Sequence, residues 1–261
     1  MDEELAGGIA NAGRVFRRGD FVLRPSNPHS ATVHTFLRAL RAAGFRGASL
    51  PVEVLPDGRE QLIFIEGDVP VPPFPAWAQS DEALRSITEL VMSFHQASAR
   101  VGLASATWSE EMADPEGGPI VCHNDVCLEN VVFRGAEAVG LLDFDFAAPG
   151  RPVHDLAACA RMCVPIDDDL SAARLGWVPA DRPARLRLVA DTYGLDRAGR
   201  LELLDHIDRS MHGGGAFVQR RVEAGDPNFV RMLLDMGGME RYDRRRRWWE
   251  AVRSTFAIAL E

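Results

Sequence analysis

The sequence predicts an α+β protein of two lobes, a small antiparallel sheet with one helix followed by a mostly helical second lobe. Three observations point there. Residues 14–65 alternate short β-type runs with a single helical stretch. Pro70, Pro72, Pro73 and Pro75 then crowd into an extended connection, because proline at that density fits neither a helix nor an inner strand. From residue 81 onward the apolar spacing is helical, except between residues 120 and 146. A chain of 261 residues with 46% hydrophobic content suffices for one large domain or two modest lobes sharing a cleft.

The elements follow in order. Residues 14–17 and 21–24 read as strands joined at Gly19-Asp20, a hairpin turn. Val33, Phe36, Leu37, Leu40 and Ala43 have helical spacing, and Gly44 closes that helix. Residues 52–55 and 61–65 are two further strands around the turn Pro56-Asp57-Gly58. Asp81 opens a long amphipathic helix through Leu84, Ile87, Leu90, Val91 and Phe94. The division expected is residues 1–67, a sheet lobe; residues 68–80, a Pro-rich hinge; and residues 81–261, a helical lobe. No internal repeat is visible.

Composition narrows the function. The net charge is −9, which disfavours non-specific nucleic-acid binding and suits a cationic small molecule. Every basic residue is arginine, so chemistry that commonly uses lysine must use arginine or do without. The acidic start and the lack of a long apolar run lead to the expectation of a cytoplasmic protein with no membrane partner. Cys122, Cys127, Cys159 and Cys163 lack Cys-x-x-Cys spacing and read as free thiols packed as small hydrophobes.

Residues 120–146 carry the chemistry. A strand at 120–122 leads into His123-Asn124-Asp125-Val126-Cys127-Leu128-Glu129-Asn130. Two strands around the turn Arg134-Gly135 then lead to Asp143-Phe144-Asp145. A hairpin brings its ends together, so Asp125, Asn130 and Asp143 are expected to meet. Phosphoryl transfer needs an in-line hydroxyl, a carboxylate to take its proton, and metal ions on the phosphates. Magnesium prefers hard oxygen ligands, which Asp143 and the Asn130 amide supply, leaving Asp125 free as base. His123 is expected to brace the loop.

His123-x-Asp125-x4-Asn130 followed by Asp143-Phe144-Asp145 resembles the catalytic and magnesium loops of the kinase superfamily. Aspartate in place of glycine at 145, the run to Gly150, and Asp155-Leu156-Ala157 are similar to the aminoglycoside phosphotransferase-like family, trifolitoxin-immunity-like members included. The resemblance implies a two-lobed kinase-like fold and a small-molecule kinase using Mg2+ and ATP or GTP. It implies Asp125 as catalytic base, Asn130 and Asp143 as metal ligands, Asp145 assisting metal or substrate, and Asp155 hydrogen-bonding the catalytic loop. Arg24 stands where the family carries a lysine, and the partner glutamate is missing from the helix, where Val33, His34 and Thr35 stand. No Gly-x-Gly-x-x-Gly covers the phosphates. Backbone groups near Ile65 and Glu66 are expected to meet the purine. The acceptor expected is an aminoglycoside-like or other amino-bearing alcohol. The missing pair motivates an alternative, a kinase-fold binding or immunity protein without turnover.

Three further features have plain readings. Arg244–Arg247 with Trp248-Trp249 reads as a solvated helix face with tryptophans turned inward. Gly213-Gly214-Gly215 reads as a kink or break in a helix. Asp167-Asp168-Asp169 reads as a helix-start cluster or as an attractor for a cationic substrate.

Overall fold

The computed structural model describes residues 2–5, 11, 13–102 and 107–261. Its first lobe is a five-stranded antiparallel sheet of β1 (Glu3–Glu4), β2 (Phe16–Arg18), β3 (Phe21–Pro25), β4 (Pro51–Val54) and β5 (Arg59–Ile63), ordered β1-β2-β3-β5-β4. The strands expected at 14–24 and 52–65 are present within two residues, and the helix expected at 31–43 is α1 (Ser30–Ala42). The two-residue β1 was not expected, since Glu-Glu carries no strand pattern. Phe45 N–H returns to the Leu40 carbonyl and Gly44, at φ 97°, ends the helix. Side chains alternate across a strand, so Val22 and Arg24 on β3 share one face with their partners Leu62 and Glu60 on β5. Val33, Phe36, Leu37 and Leu40 turn the apolar stripe of α1 into the core.

The second lobe begins with α2 (Asp81–Ser98). Ser80 caps it by accepting from Ala83 N–H, and Asp81 and Glu82 suit the positive end of the helix. Then come β6 (Ile120–Cys122), the hairpin β7 (Val131–Arg134) and β8 (Glu137–Leu141), and β9 (Ala148–Gly150). The remainder is α3 (Pro152–Cys163), α4 (Asp169–Arg174), α5 (Arg182–Tyr193), α6 (Arg197–Glu223), α7 (Pro227–Asp235) and α8 (Glu240–Leu260). No helix among the described residues is long and apolar enough to cross a membrane.

The lobes are stitched along the hairpin. Asp68 and Phe133 exchange backbone hydrogen bonds of 2.8 Å, and Leu141 N–H donates to the Gly47 carbonyl at 2.8 Å. Phe133, Leu141, Phe94 and Phe144 lie in the buried core that continues beneath both lobes.

Two readings need correction. The glycine run at 213–215 does not break its helix, because α6 continues through it to Glu223. A Cβ at Gly215 would stand 3.1 Å from Tyr242, so the glycine admits the α8 tyrosine to the surface of α6. Nor is the arginine run of α8 one solvated face. Trp249 is fully buried as expected, but Arg245 is only 3% exposed and Arg244 reaches Asp168 at 2.8 Å. Asp168 is also the N-cap of α4, accepting from Ser171 N–H. All four cysteines are free and buried, as their spacing suggested.

Candidate active site

Two short ladders create the site. β6 pairs β9 with Cys122 opposite Ala148, and β7 pairs β8 with Val131 opposite Leu141. Segments 123–130 and 142–147 each span the gap between the two ladders, so they run side by side. Leu142 N–H donates to the Asn130 carbonyl at 2.8 Å, and Asn124 Nδ2 donates to the Phe146 carbonyl at 2.9 Å. The hairpin alone was legible in the sequence. Ala148-Pro149-Gly150 has no strand signature, and its pairing with β6 is a tertiary outcome.

Histidine and aspartate hold the loop. His123 is fully buried, donates from Nε2 to the Leu142 carbonyl at 2.8 Å, and accepts Asp125 N–H on Nδ1 at 3.3 Å. Burial pushes its pKa down, so it is a neutral brace. Asp155, fully buried in the first turn of α3, accepts His123 N–H at 2.6 Å, Asn124 N–H at 2.8 Å and His95 Nε2–H at 3.0 Å. Burial alone would raise its pKa, but His95 and His123 outweigh it and hold the carboxyl below its usual range.

The Asn130 amide nitrogen donates to Asp125 twice, to the backbone oxygen at 2.9 Å and to Oδ2 at 3.1 Å. Its amide oxygen has no hydrogen-bond partner among the described residues. Asp143 sits at φ 61°, ψ 69°, a left-handed conformation that costs a non-glycine residue about 1–3 kcal/mol and needs surroundings that enforce it. Asn130 and Asp143 line the same cavity of about 310 Å³ between the lobes. An amide oxygen free of protein partners beside a carboxylate fits a hard divalent cation such as magnesium. Asp125 is pushed up to about 7, by burial first and by the charge of Asp143 second.

Arg24 is the hub on the other wall. It donates to Glu60, to Asp143 at 2.9 Å and to Asp145. Glu60, directly opposite Arg24 in the sheet and 1% exposed, also accepts His34 Nε2–H at 2.7 Å. Burial works to raise Glu60, and His34 and Arg24 together pull it below its usual range. Burial likewise raises Asp145, to about 6, against the pull of Arg24. The acidic partner missing from α1 is thus supplied by strand β5, with His34 on α1 as its second contact. The sequence held a clue: Glu60 is a charged residue on the strand face it shares with Leu62 and Phe64. His34, which stands on α1 where the glutamate is missing, is buried to 6% exposure. Glu60→Ala would remove one of the three carboxylates around Arg24 and leave His34 Nε2–H without its acceptor, so a stability loss of about 1–3 kcal/mol is expected in chemical denaturation.

Val22, Leu62, Ile65, Val132 and Leu141 give the cavity apolar walls, with Arg24, Gly67 and Val69 also in its lining. A Cβ at Gly140 would stand 2.9 Å from Ile65, so this glycine lets Ile65 pack into the wall. Backbone N–H and C=O of Ile65 make no hydrogen bond among the described residues. Glu66 does not line the cavity; its exposed side chain pairs with Arg17, whose guanidinium lies 3.9 Å from the Phe64 ring centre.

The profile of the phosphotransferase enzyme family matches residues 66–189. A trifolitoxin immunity protein of Rhizobium leguminosarum bv. trifolii is 34% identical over 215 residues, covering 79% of this chain and 80% of that one. Among solved structures, a choline/ethanolamine kinase family protein from Mesorhizobium loti superposes with a TM-score of 0.57 at 18% identity, over 96% of this chain and 92% of that one. The gentamicin complex of APH(2'')-IIa gives a TM-score of 0.59 at 12% identity, over 90% of each chain. With its two-lobed kinase-like fold and this relative, the chain belongs to the phosphotransferase enzyme family, the aminoglycoside phosphotransferase-like branch of the kinase superfamily.

Proposed function

We propose that the protein moves the γ-phosphoryl group of ATP or GTP to a hydroxyl of a small molecule. The observation that supports this is that Asn130 and Asp143 line the inter-lobe cavity together, with Asp125 hydrogen-bonded to Asn130. The purine lies against Ile65, Val132 and Leu141, with backbone groups near Ile65 and Glu66 at its edge. Arg24 faces the α- and β-phosphates, held in place by Glu60. Magnesium bound by Asn130 and Asp143 would neutralise charge on the β- and γ-phosphates. Asp125 orients the acceptor hydroxyl and takes its proton, and Asn130 fixes the Asp125 carboxylate through its amide. Asp145 steadies Arg24. Solved neighbours in complex with gentamicin, streptomycin with ATP, and GDP support a nucleotide and a small-molecule acceptor.

A second reading, a kinase-fold binding or immunity protein without turnover, is favoured by one observation. Arg24 ion-pairs both Asp143 and Asp145, the carboxylates a metal would use. A panel of hydroxylated metabolites and antibiotics, assayed for nucleoside diphosphate release, separates the readings. The first requires at least one compound that stimulates release in the native protein and not in Asp125→Asn. The second requires nucleotide binding with no stimulated release by any member.

A further inference from the structure

Arg161, Arg241 and Arg245 gather beside the catalytic loop, against the cationic acceptor that the net charge of −9 suggested. Resting on the phosphotransferase reading above, we propose that the acceptor carries an anionic group, a carboxylate or a phosphate ester, held by Arg161 with Arg241 and Arg245 behind it.

The last turn of α3 lies on the catalytic loop, with Cys163 Sγ 3.9 Å from the Val126 carbonyl. Arg161, half-buried in that turn, lies within electrostatic reach of Asp125, Asp167 and Arg241. The chain after α3 folds back, with Ile166 N–H on the Arg161 carbonyl at 3.0 Å, and this brings Asp167 to the cluster. From α8, Arg241 reaches Asp167 at 2.9 Å and Arg245 stands 4.0 Å from the same oxygen. Arg245 also lies 5.0 Å over the ring of Tyr242, which Gly215 seats against α6.

The charges do not balance within the cluster. Two carboxylates, Asp125 and Asp167, face three guanidinium groups. The Arg161 guanidinium makes no hydrogen bond or ion pair with any described residue. Nε of Arg241 and Nε of Arg245 are buried without a hydrogen-bond partner. A buried guanidinium left unpaired is costly, and a planar carboxylate or a phosphate is the group its fork of donors matches. A ligand anion at Arg161 completes the set, and its hydroxyl then lies toward Asp125. A cluster serving only to clamp α8 would have no need of Arg161, which touches neither Asp167 nor α8 by a hydrogen bond.

The test is a titration of the full chain with inorganic phosphate at constant ionic strength against chloride, read as the melting shift. It is run on native protein, Arg161→Gln and Arg161→Lys, with and without Mg·ADP to occupy the nucleotide site. The native protein is expected to be stabilised by phosphate in both conditions. Arg161→Gln should bind phosphate roughly ten- to a hundredfold more weakly, and Arg161→Lys should recover most of the shift. Mg·ADP affinity should be the same in all three. No phosphate shift in the native protein, or an equal shift in Arg161→Gln, overturns the anionic site. Absence of Mg·ADP binding instead removes the phosphotransferase reading, while the phosphate difference between native protein and Arg161→Gln still decides the arginine site.

Discussion

Asp125→Asn is expected to lower turnover by roughly 10²–10⁴-fold while leaving nucleotide affinity within about twofold. The substitution keeps the shape and the hydrogen bond from Asn130, now to an amide oxygen, and removes only the capacity to accept a proton. Asp125 is not among the residues lining the nucleotide cavity, whereas Asn130 and Asp143 are. The loss should therefore fall on the chemical step, with kcat reduced and the KM for nucleotide nearly unchanged. Single-turnover measurement of phosphoryl transfer checks it. A variant with native kcat would remove Asp125 from the base role.

The largest structural effect is expected from Asp155→Ala, a loss of about 3–5 kcal/mol in denaturant titration. The carboxylate is fully buried and accepts three hydrogen bonds, two of them from backbone N–H groups of the catalytic loop. Removing it orphans those donors together with His95. The pH dependence has a definite sign. Asp155 is held below its unfolded value of about 3.9, so its contribution is whole above that pH and is lost as pH falls through the folded value. His123 is also held below its unfolded value of about 6.5, so its contribution is whole above that pH and fades as pH falls from there. Both groups make the native protein acid-labile, and the Asp155→Ala curve should be flatter below about pH 4.

Much of this was legible in the sequence, and the reasons differ by residue. Period-2 runs at 21–24 and 61–65 and the 3.6-period stripe of α1 are local patterns, so the sheet lobe could be read directly. The meeting of Asn130 with Asp143 followed from a hairpin, which is also local. Glu60 was missed because its partner lies 36 residues away across the sheet, and strand register is not written in either strand alone. The inward turn of His34 was hidden for the same reason: with Glu60 unplaced, a histidine on α1 had no partner to bury it. The arginine run of α8 misled because consecutive charges on a helix point in different directions. Arg245 falls on the face shared with Trp249, four residues on, while Arg246 and Arg247 remain exposed.

Arg24 makes the metal question decisive, since it already pairs with Asp143 and Asp145. The most direct measurement is the melting shift produced by a non-hydrolysable ATP or GTP analogue, with magnesium and with chelator, in native protein and Asp143→Asn. Nucleotide phosphates held through Asn130 and Asp143 by a divalent cation predict a large shift in native protein that needs magnesium and is nearly absent in the variant. A shift of equal size in chelator, or one unaffected by Asp143→Asn, would contradict the account.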